Sequence, residues 1–266
     1  MRRRIAPGAV LWLLIGVAYL LIPLIATAIY SLKSNQTGTC CTLENYGEII
    51  HDPAFWKSFR ISFVLALETI VIGLVLLVPT VYWVNLKLPR LRPVIGFLAL
   101  IPFVVPPIVL VVGLLDVFRD TPDWFYAKPY GFLAAAYVIL AFPYIYFSLD
   151  AGFRAIDVHT LTEASQSLGA SWRTTLGRVI IPNIRAAALA GALLTFAIVM
   201  GEYTIASLAT FDTFPVYIPD INQNNGFPAS ALVLLSFGIT WAAMIAIVLV
   251  GRGGGQASGA QVGGAR

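Results

Sequence analysis

The chain has 266 residues, of which 59% are hydrophobic and only 11% are charged, and its mean hydropathy is +0.84. Soluble domains carry about 25% charged residues, so this composition excludes an ordinary water-soluble globule and favours a protein that is solvated by lipid. The net charge of +4 does not indicate a nucleic-acid partner, because the basic residues lie in short clusters between long apolar runs. Two cysteines, Cys40 and Cys41, are too few for a disulfide framework. Adjacent cysteines seldom pair, so the sequence leaves their redox state open.

The first apolar run allows two interpretations. Arg2, Arg3 and Arg4 precede it, and the tripeptide at residues 26–28 resembles a signal-peptidase site. The apolar part of a signal peptide is about 7–15 residues long, whereas this run extends over residues 9–28. An uncleaved first membrane helix is therefore favoured over a cleaved signal.

Six stretches are apolar over a length close to the roughly 20 residues that a helix needs to cross a bilayer. A polar turn separates the second stretch from the third, and a longer polar segment, residues 150–185, separates the fourth from the fifth. We predict an all-α integral membrane protein with one transmembrane domain over residues 1–252 and a disordered tail over residues 253–266. The six predicted spans are residues 10–32, 59–84, 94–118, 131–149, 186–208 and 231–250.

The basic residues predict the orientation of this bundle, because loops rich in Lys and Arg stay in the cytoplasm. With a cytoplasmic N-terminus, twelve of the seventeen Lys and Arg residues fall inside, and both termini and residues 150–185 are cytoplasmic. Eight acidic residues fall on or near the outer side, either as an ordinary consequence of membrane insertion or as a vestibule that attracts a cationic solute. The five outer basic residues are Lys33, Lys57, Arg60, Arg119 and Lys128.

The chain lacks the motifs of common membrane enzymes and nucleotide-binding proteins. It has no Gly-x-x-x-x-Gly-Lys-Ser/Thr loop to hold phosphates, no Gly-x-Ser-x-Gly elbow and no His-Glu-x-x-His metal site. Its two histidines, His51 and His159, do not form a cluster with metal-ligand spacing. We therefore expect a protein that is not an enzyme and has no cofactor of its own.

The polar segment between the fourth and fifth spans predicts a helix that lies on the cytoplasmic surface. Thr160 and Glu163 have the spacing of a capping box, which places the start of the helix near Thr160. Leu161, Ala164 and Leu168 then share one face at helical spacing. That apolar face is too short to cross the membrane and requires a partner.

The same segment predicts the end of this helix and the start of a second one. Gly169 supplies the left-handed residue that commonly ends a helix. Ser171 can cap a second short helix over residues 172–179. Pro182 marks the start of the next span. The expected structure is a helix–turn–helix.

This segment resembles a cytoplasmic motif of the permeases of type I binding-protein-dependent ABC importers. The family motif is Glu-Ala-Ala, three residues, Gly, nine residues, and Ile-x-Leu-Pro, and this chain differs from it by conservative changes at Ser165, Val179 and Ile181. The resemblance implies that the helix docks into a groove of a separate ATPase subunit and transmits the closure of that subunit to the spans. Capping by Glu163 of its own helix is compatible with this role. The matching residues are Glu163, Ala164, Ser165, Gly169, Val179, Ile181 and Pro182.

Three weaker features are similar to the polyamine-type branch of that family, and related branches for sulfate, iron and thiamine share some of them. They are the proline-rich residues 101–109, the tripeptide Gly201-Glu202-Tyr203 and the loop at residues 225–231. The resemblance implies import of a small, polyamine-like solute across a bacterial inner membrane by alternating access. It also implies a second permease subunit, an extracytoplasmic binding protein, and ATP bound only by the partner ATPase subunits.

The third span carries three prolines, Pro102, Pro106 and Pro107, which cannot all lie in an unbroken helix because each lacks an amide donor. Irregular backbone at membrane depth is tolerated where it is buried in protein or lines a wet cavity. We therefore predict that Pro106 and Pro107 lie beside the solute pathway. The alternative is a simple packing kink.

Two acidic residues, Glu68 and Glu202, lie within apolar spans, where a central charge costs about 2.5–3.5 kcal/mol. Such residues usually face the interior of the bundle. Each is either a contact for the solute, with Tyr203 beside Glu202, or a structural pairing group. An ion-coupled secondary transporter that uses one of these carboxylates is the alternative function, and it leaves the cytoplasmic motif unexplained.

Overall fold

The computed structural model of the chain describes residues 7–34, 38–224 and 226–252, and every regular element in this part is helical. The predicted all-α class is thereby confirmed. Arg2, Arg3, Arg4 and the predicted tail at residues 253–266 lie outside the described residues. The helices are α1 (Pro7–Ser31), α2 (Glu44–His51), α3 (Pro53–Lys87), α4 (Arg92–Ala99), α5 (Ile101–Val104), α6 (Pro107–Phe118), α7 (Asp123–Tyr126), α8 (Pro129–Arg154), α9 (Val158–Ser167), α10 (Trp172–Thr174), α11 (Ile181–Gly201), α12 (Thr204–Leu208), α13 (Phe214–Asn224) and α14 (Gly226–Arg252).

Within the described residues, five helical stretches are long and apolar enough to cross a membrane. A sixth candidate is a pair of helical stretches, Pro89–Val104 and Pro107–Phe118, which are bent by 95° relative to each other. The six stretches predicted from the sequence correspond to these candidates, although their ends differ. The five unbroken candidates are Val10–Ser31, Pro53–Lys87, Pro129–Arg154, Trp172–Gly201 and Gly226–Leu249.

The fifth span differs most from its predicted bounds. It is continuous from Trp172 to Gly201, whereas the sequence predicts residues 186–208. Pro182 lies in the first turn of α11, as predicted, but the helical stretch extends back from it through residues 175–180 to Trp172. A proline ring clashes with the carbonyl four residues earlier in a regular helix, and a π-helical turn over Thr175–Ile180 widens the backbone just before Pro182. Asn183 Nδ2 donates to the carbonyl of Val179 at 2.7 Å, so that carbonyl keeps a partner.

Three short helices, α2, α7 and α13, were not predicted from the sequence. They lie between the spans, where short polar or proline-containing segments carry no clear periodicity. The predicted loop at residues 225–231 is also wrong for residues 226–231, which form the start of α14. Pro228 is the third residue of that helix, a position in the first turn where no intrahelical amide bond is lost.

Contacts divide the chain into two compact units. One unit comprises Met1–Lys57 and Tyr217–Ile239. In this unit Asn45 Nδ2 donates to the carbonyls of Ser31 and Lys33, at 2.8 Å each, and so fixes α2 to the end of α1.

The other unit comprises Ser58–Val216 and Thr240–Arg266. Its apolar core is formed by residues of α3, α4, α8, α9, the π-helical turn and α11. At one end of α8 the buried carboxylate of Asp150 accepts hydrogen bonds from Arg92 Nε at 2.8 Å and from Arg154 Nη2 at 2.6 Å. This pairing neutralises a buried charge and joins α4 to α8.

Close packing of α8 against α11 depends on small residues. A β-carbon on Gly152 would lie 2.3 Å from the β-carbon of Ala187, and one on Gly191 would lie 3.3 Å from the α-carbon of Ile145. Helices in lipid associate mainly through such close van der Waals contact, because lipid tails are as apolar as the side chains. The two glycines therefore set the distance between α8 and α11.

Replacing Gly152 by alanine tests this packing. We expect Gly152→Ala to destabilise the protein by about 1–3 kcal/mol, because the added methyl group overlaps Ala187. Gly113→Ala in α6 is the matched control, since its β-carbon would meet no atom within 4 Å; alanine there should be neutral or stabilise the helix by about 0.5–1 kcal/mol. Thermal unfolding in mild detergent measures both variants, and equal midpoints would contradict the close contact.

Candidate functional site

The start of α9 is set by Asp157, and the prediction that Thr160 caps this helix was wrong. Asp157 Oδ1 accepts a hydrogen bond from the backbone N–H of Thr160 at 3.1 Å, and Oδ2 accepts one from Thr160 Oγ1 at 2.6 Å. A carboxylate three residues before Thr160 satisfies the first free amides better than the Thr160 hydroxyl can. These hydrogen bonds hold the pKa of Asp157 below its ordinary value of 3.8.

One face of α9 is anchored to the core of its unit. Val158, Thr162 and Ser165 are buried at helical spacing. Thr162 Oγ1 lies 3.1 Å from Tyr82 OH on α3, and Ser165 Oγ lies 2.5 Å from Thr175 Oγ1 on the π-helical turn. Ser165 replaces the second alanine of the family motif, and its hydroxyl makes a buried side-chain hydrogen bond that alanine cannot make.

The opposite face of α9 is uncovered. Glu163 and Ala164 are exposed there, and Leu168, which directly follows α9, is 89% exposed although its side chain is fully apolar. Leu161, which was predicted to share this face, is only partly exposed and packs against the core. Trp172 at the start of α10 is also exposed, with the Arg173 guanidinium 5.7 Å from the centre of its ring.

The turn between α9 and α10 has the predicted geometry. Gly169 has φ +82°, which is the left-handed conformation expected at the end of a helix. Ser171 caps α10 by accepting from the N–H of Thr174 at 3.3 Å, as predicted. Of the remaining motif residues, Val179 is half-buried in the π-helical turn, while Ile181 and Pro182 are exposed.

The third span is broken where the prolines predicted irregular backbone. Val105 and Pro106 are extended, with ψ 116° and 141°, so α5 ends at Val104 and α6 begins at Pro107. Pro106 is exposed and Pro107 is half-buried. The break turns α6 away from the preceding helical stretch.

The fifth span ends at a second break, and the carboxylate of Glu202 stabilises it. Glu202 has extended backbone with ψ 110°, and its side chain is only 8% exposed. Its oxygens accept hydrogen bonds from the N–H of Ile205 at 2.9 and 3.1 Å and from that of Ala206 at 3.3 Å. The carboxylate therefore caps α12, which begins two residues later. This cap explains why the fifth span ends at Gly201 and does not continue to residue 208 as predicted.

Two tyrosines lie near Glu202, one exposed and one buried. Tyr203 follows it in the chain and is 47% exposed. Tyr137 on α8 is buried, with its hydroxyl near the Glu202 side chain. The geometry does not complete a hydrogen bond, because the Tyr137 hydroxyl has no partner among the described residues.

The two broken spans meet where α12 packs against α6. Beside this contact lies a cavity of about 520 Å³, lined by Leu115, Tyr126, Ala127 and residues 208–211. Discontinuous helices of this kind border solute sites in membrane transporters. The sequence did not identify these lining residues, because small and apolar residues at this position have no distinctive pattern.

The structure places the predicted pathway residues at two helix breaks and on α3. Glu202 and Tyr203 lie at the break before α12, and Pro106 and Pro107 lie at the break before α6. Glu68 is half-buried on α3 and does not line the cavity beside α12. A role in the pathway stays a prediction for all five residues.

The capping carboxylate of Asp157 gives α9 a pH dependence. The pKa of Asp157 in the folded chain is below 3.8. The contribution of this carboxylate to the stability of α9 is therefore complete above that value and is lost as the pH falls through the pKa of the folded state. We expect the protection of the α9 amides against hydrogen exchange, measured relative to the intrinsic exchange rate at each pH, to fall over this acidic range. In Asp157→Asn, which keeps a good capping side chain without a titrating group, this loss of protection should be absent; an unchanged acid response in that variant would contradict the assignment.

Two curated relatives share part of their sequence with this chain. Over 183 residues the chain is 30% identical to the spermidine/putrescine transport system permease protein PotB of Salmonella typhimurium strain SL1344. The aligned region covers 63% of this chain and 62% of that protein. The chain is 24% identical over 217 residues to the putrescine transport system permease protein PotI of Escherichia coli K12, which covers 77% and 75% of the two chains. The chain thus spans slightly less than two thirds of the length of the PotB relative.

Solved structures have the same fold. A bacterial alginate ABC transporter in complex with an alginate pentasaccharide-bound periplasmic protein aligns with a TM-score of 0.67 at 14% identity, over 94% of this chain and 93% of that chain. An amino acid ABC transporter aligns with a TM-score of 0.55 at 18% identity, over 79% and 99%. Residues 82–252 match the family described as "binding-protein-dependent transport system inner membrane component". Because this match includes more than half of the sequence, the chain belongs to that family.

Proposed function

We propose that this chain is the membrane-spanning permease subunit of an ATP-driven, binding-protein-dependent importer. The observation that carries the proposal is α9, which is anchored to the core by one face, leaves Glu163 and Ala164 uncovered on the other, and is followed by the exposed Leu168. An apolar side chain as exposed as Leu168 is suited to a partner protein that covers it. The partner is an ATPase subunit, and the resemblance of the segment to the family's docking motif supports this choice.

The contacts of α9 provide a route from that partner to the broken spans. The Tyr82–Thr162 hydrogen bond links α9 to α3, and the Ser165–Thr175 hydrogen bond links it to the π-helical turn. The helix that contains this turn runs without interruption to Gly201, directly before the break at Glu202. A displacement of α9 is thus transmitted through one continuous helix to α12 and the cavity beside it.

The proposed orientation places α9 and both termini in the cytoplasm and the binding protein on the opposite side of the bacterial inner membrane. The bias in Lys and Arg supports this arrangement. A second permease subunit completes the proposed assembly. The most apolar part of α1 has no buried residue, and only 6% of the most apolar part of α14 is buried. Both helices therefore offer surface to lipid and to such a subunit.

The proposed solute is a polyamine-like cation. The names of the PotB and PotI relatives support this substrate class. A cationic ammonium group that leaves water needs a carboxylate or an aromatic face, and Glu202 with the exposed Tyr203 supplies both at the break of the fifth span. The backbone amides that bind the Glu202 carboxylate are neutral, so they hold it in place without cancelling its charge.

The energy source separates this proposal from an ion-coupled carrier. Uptake by vesicles that contain the full transporter should require ATP and should continue when an uncoupler collapses the proton gradient. Uptake that follows the gradient and ignores ATP would contradict the proposal and favour the carrier. The measurement is accumulation of radiolabelled putrescine or spermidine in the presence of the binding protein.

The docking surface is tested by adding the same charge at two glycines. Gly169→Asp should abolish association with the ATPase subunit, because it places a charge at the turn and a side chain at φ +82°, a conformation that costs about 1–2 kcal/mol for a residue with a β-carbon. Gly177→Asp on the π-helical turn is the control, since it has no positive φ and no atom within 4 Å of a β-carbon. Both variants should insert in the membrane. Normal co-purification and transport in Gly169→Asp would contradict the docking role.

The role of Glu202 is tested by Glu202→Gln, which keeps one oxygen as an acceptor for the α12 amides and removes the charge. We expect polyamine transport to fall while ATPase activity and the affinity of the binding protein persist, because those sites are on other chains. Asp120→Asn, an exposed acid after α6, is the control and should transport normally. Wild-type transport by Glu202→Gln would reduce Glu202 to the structural cap of α12.

A further inference from the structure

Cys40 and Cys41 lie on the turn that joins α1 to α2, within one compact unit. The backbone of this turn is held by one acceptor, because the N–H groups of Cys41 and Thr42 both donate to the carbonyl of Leu32 at 2.9 Å. Cys41 has φ +82°, a left-handed conformation that is uncommon for residues other than glycine. The turn thus keeps Cys41 in a conformation that an unrestrained cysteine seldom adopts.

This conformation turns the two thiols toward each other at the surface. The two Sγ atoms are 2.7 Å apart, and both residues are exposed. Hydrogen bonding with the Cys40 thiol raises the pKa of Cys41. Because the thiolate is the reactive form of cysteine, the thiol that ionises first acts as the nucleophile of the pair.

We propose that Cys40 and Cys41 form a reversible vicinal disulfide, a redox-modification site on the turn between α1 and α2. The oxidant is a small disulfide such as oxidised glutathione. The thiolate of one cysteine attacks one sulfur of that disulfide, forms a mixed disulfide and releases one small thiolate. The neighbouring cysteine loses its proton to solvent and attacks the protein sulfur of the mixed disulfide, which closes the protein disulfide and releases the second small thiolate. One small disulfide and two protein thiols thus yield one protein disulfide and two small thiols.

The bond is reversible because adjacent residues are close together. Consecutive α-carbons are about 3.8 Å apart, whereas disulfides usually join α-carbons about 4.4–6.8 Å apart. A disulfide between α-carbons that are closer than this range is strained and therefore easily reduced. Exposure of both sulfurs gives small thiols access to the bond. The site is thus suited to modification, and it is not a permanent staple of the fold.

The ends of α1 and α2 stay connected in either redox state, because contacts between them do not involve the two cysteines. Ser34 Oγ donates to Glu44 Oε2 at 3.1 Å, and Ser31 Oγ lies 2.7 Å from Tyr46 OH. These contacts connect the end of α1 with α2 and do not involve either sulfur. Closure of the disulfide therefore needs rotation of the two side chains and little movement of the helices.

The test is exposure of the purified full chain to oxidised glutathione, followed by alkylation of free thiols and mass spectrometry of the peptide that contains both cysteines. Wild-type protein should lose both free thiols together and lose two hydrogens, with no retained glutathione. Dithiothreitol should restore both thiols. Cys40→Ser and Cys41→Ser each keep one exposed thiol, and both should retain one glutathione as a stable mixed disulfide.

The comparison of wild type with the single-cysteine variants decides the proposal. Glutathione retained on the wild type, a disulfide between two chains, or two thiols that stay free would each overturn it. Failure of the single variants to react would overturn it as well, because both thiols would then be inaccessible. None of these outcomes depends on transport, so the result is independent of the proposed function.

Discussion

Lipid offers no hydrogen-bond partner to the N–H and C=O groups of the backbone. Every interruption of a helix at membrane depth must therefore bring its own acceptor or donor. At the break of the fifth span Glu202 supplies the acceptors for two amides of α12. Near Pro182 the Asn183 amide satisfies a carbonyl before the proline. These side chains allow bent and broken helices inside a bundle whose composition otherwise favours straight ones.

Other polar groups connect α9 to the long helices of its unit. Hydroxyl pairs, Tyr82 with Thr162 and Ser165 with Thr175, fix α9 to two spans while its other face stays uncovered. Hydroxyl groups suit this position, because a buried hydrogen bond sets both the distance and the direction between two helices. The tight contact of α8 with α11 at Gly152 and Gly191 then makes the fifth span part of a rigid pair.

Most local features of the candidate site could be predicted from the sequence because they depend on backbone chemistry. Gly169 was expected to be left-handed, Ser171 to cap α10, and Pro106 and Pro107 to interrupt the third span, and the structure shows each of these features. The cap of α9 was misassigned, because Thr160 and Asp157 both fit a cap and the competition between them depends on three-dimensional geometry. The break at Glu202 was missed, since residues 186–208 are apolar enough for one continuous helix.

The sequence by itself determined that the chain is helical, lies in a membrane and carries a polar segment with the spacing of a docking motif. These properties arise from composition and short-range periodicity, which act without reference to distant residues. Three properties depend on the folded chain: which face of α9 is covered, the role of Glu202 as a capping group, and the contact of α6 with α12 beside a cavity. Each of these depends on contacts between residues far apart in the chain, such as Tyr82 and Thr162. The pairing of helices, and not the apolar pattern of any one helix, defines the candidate site.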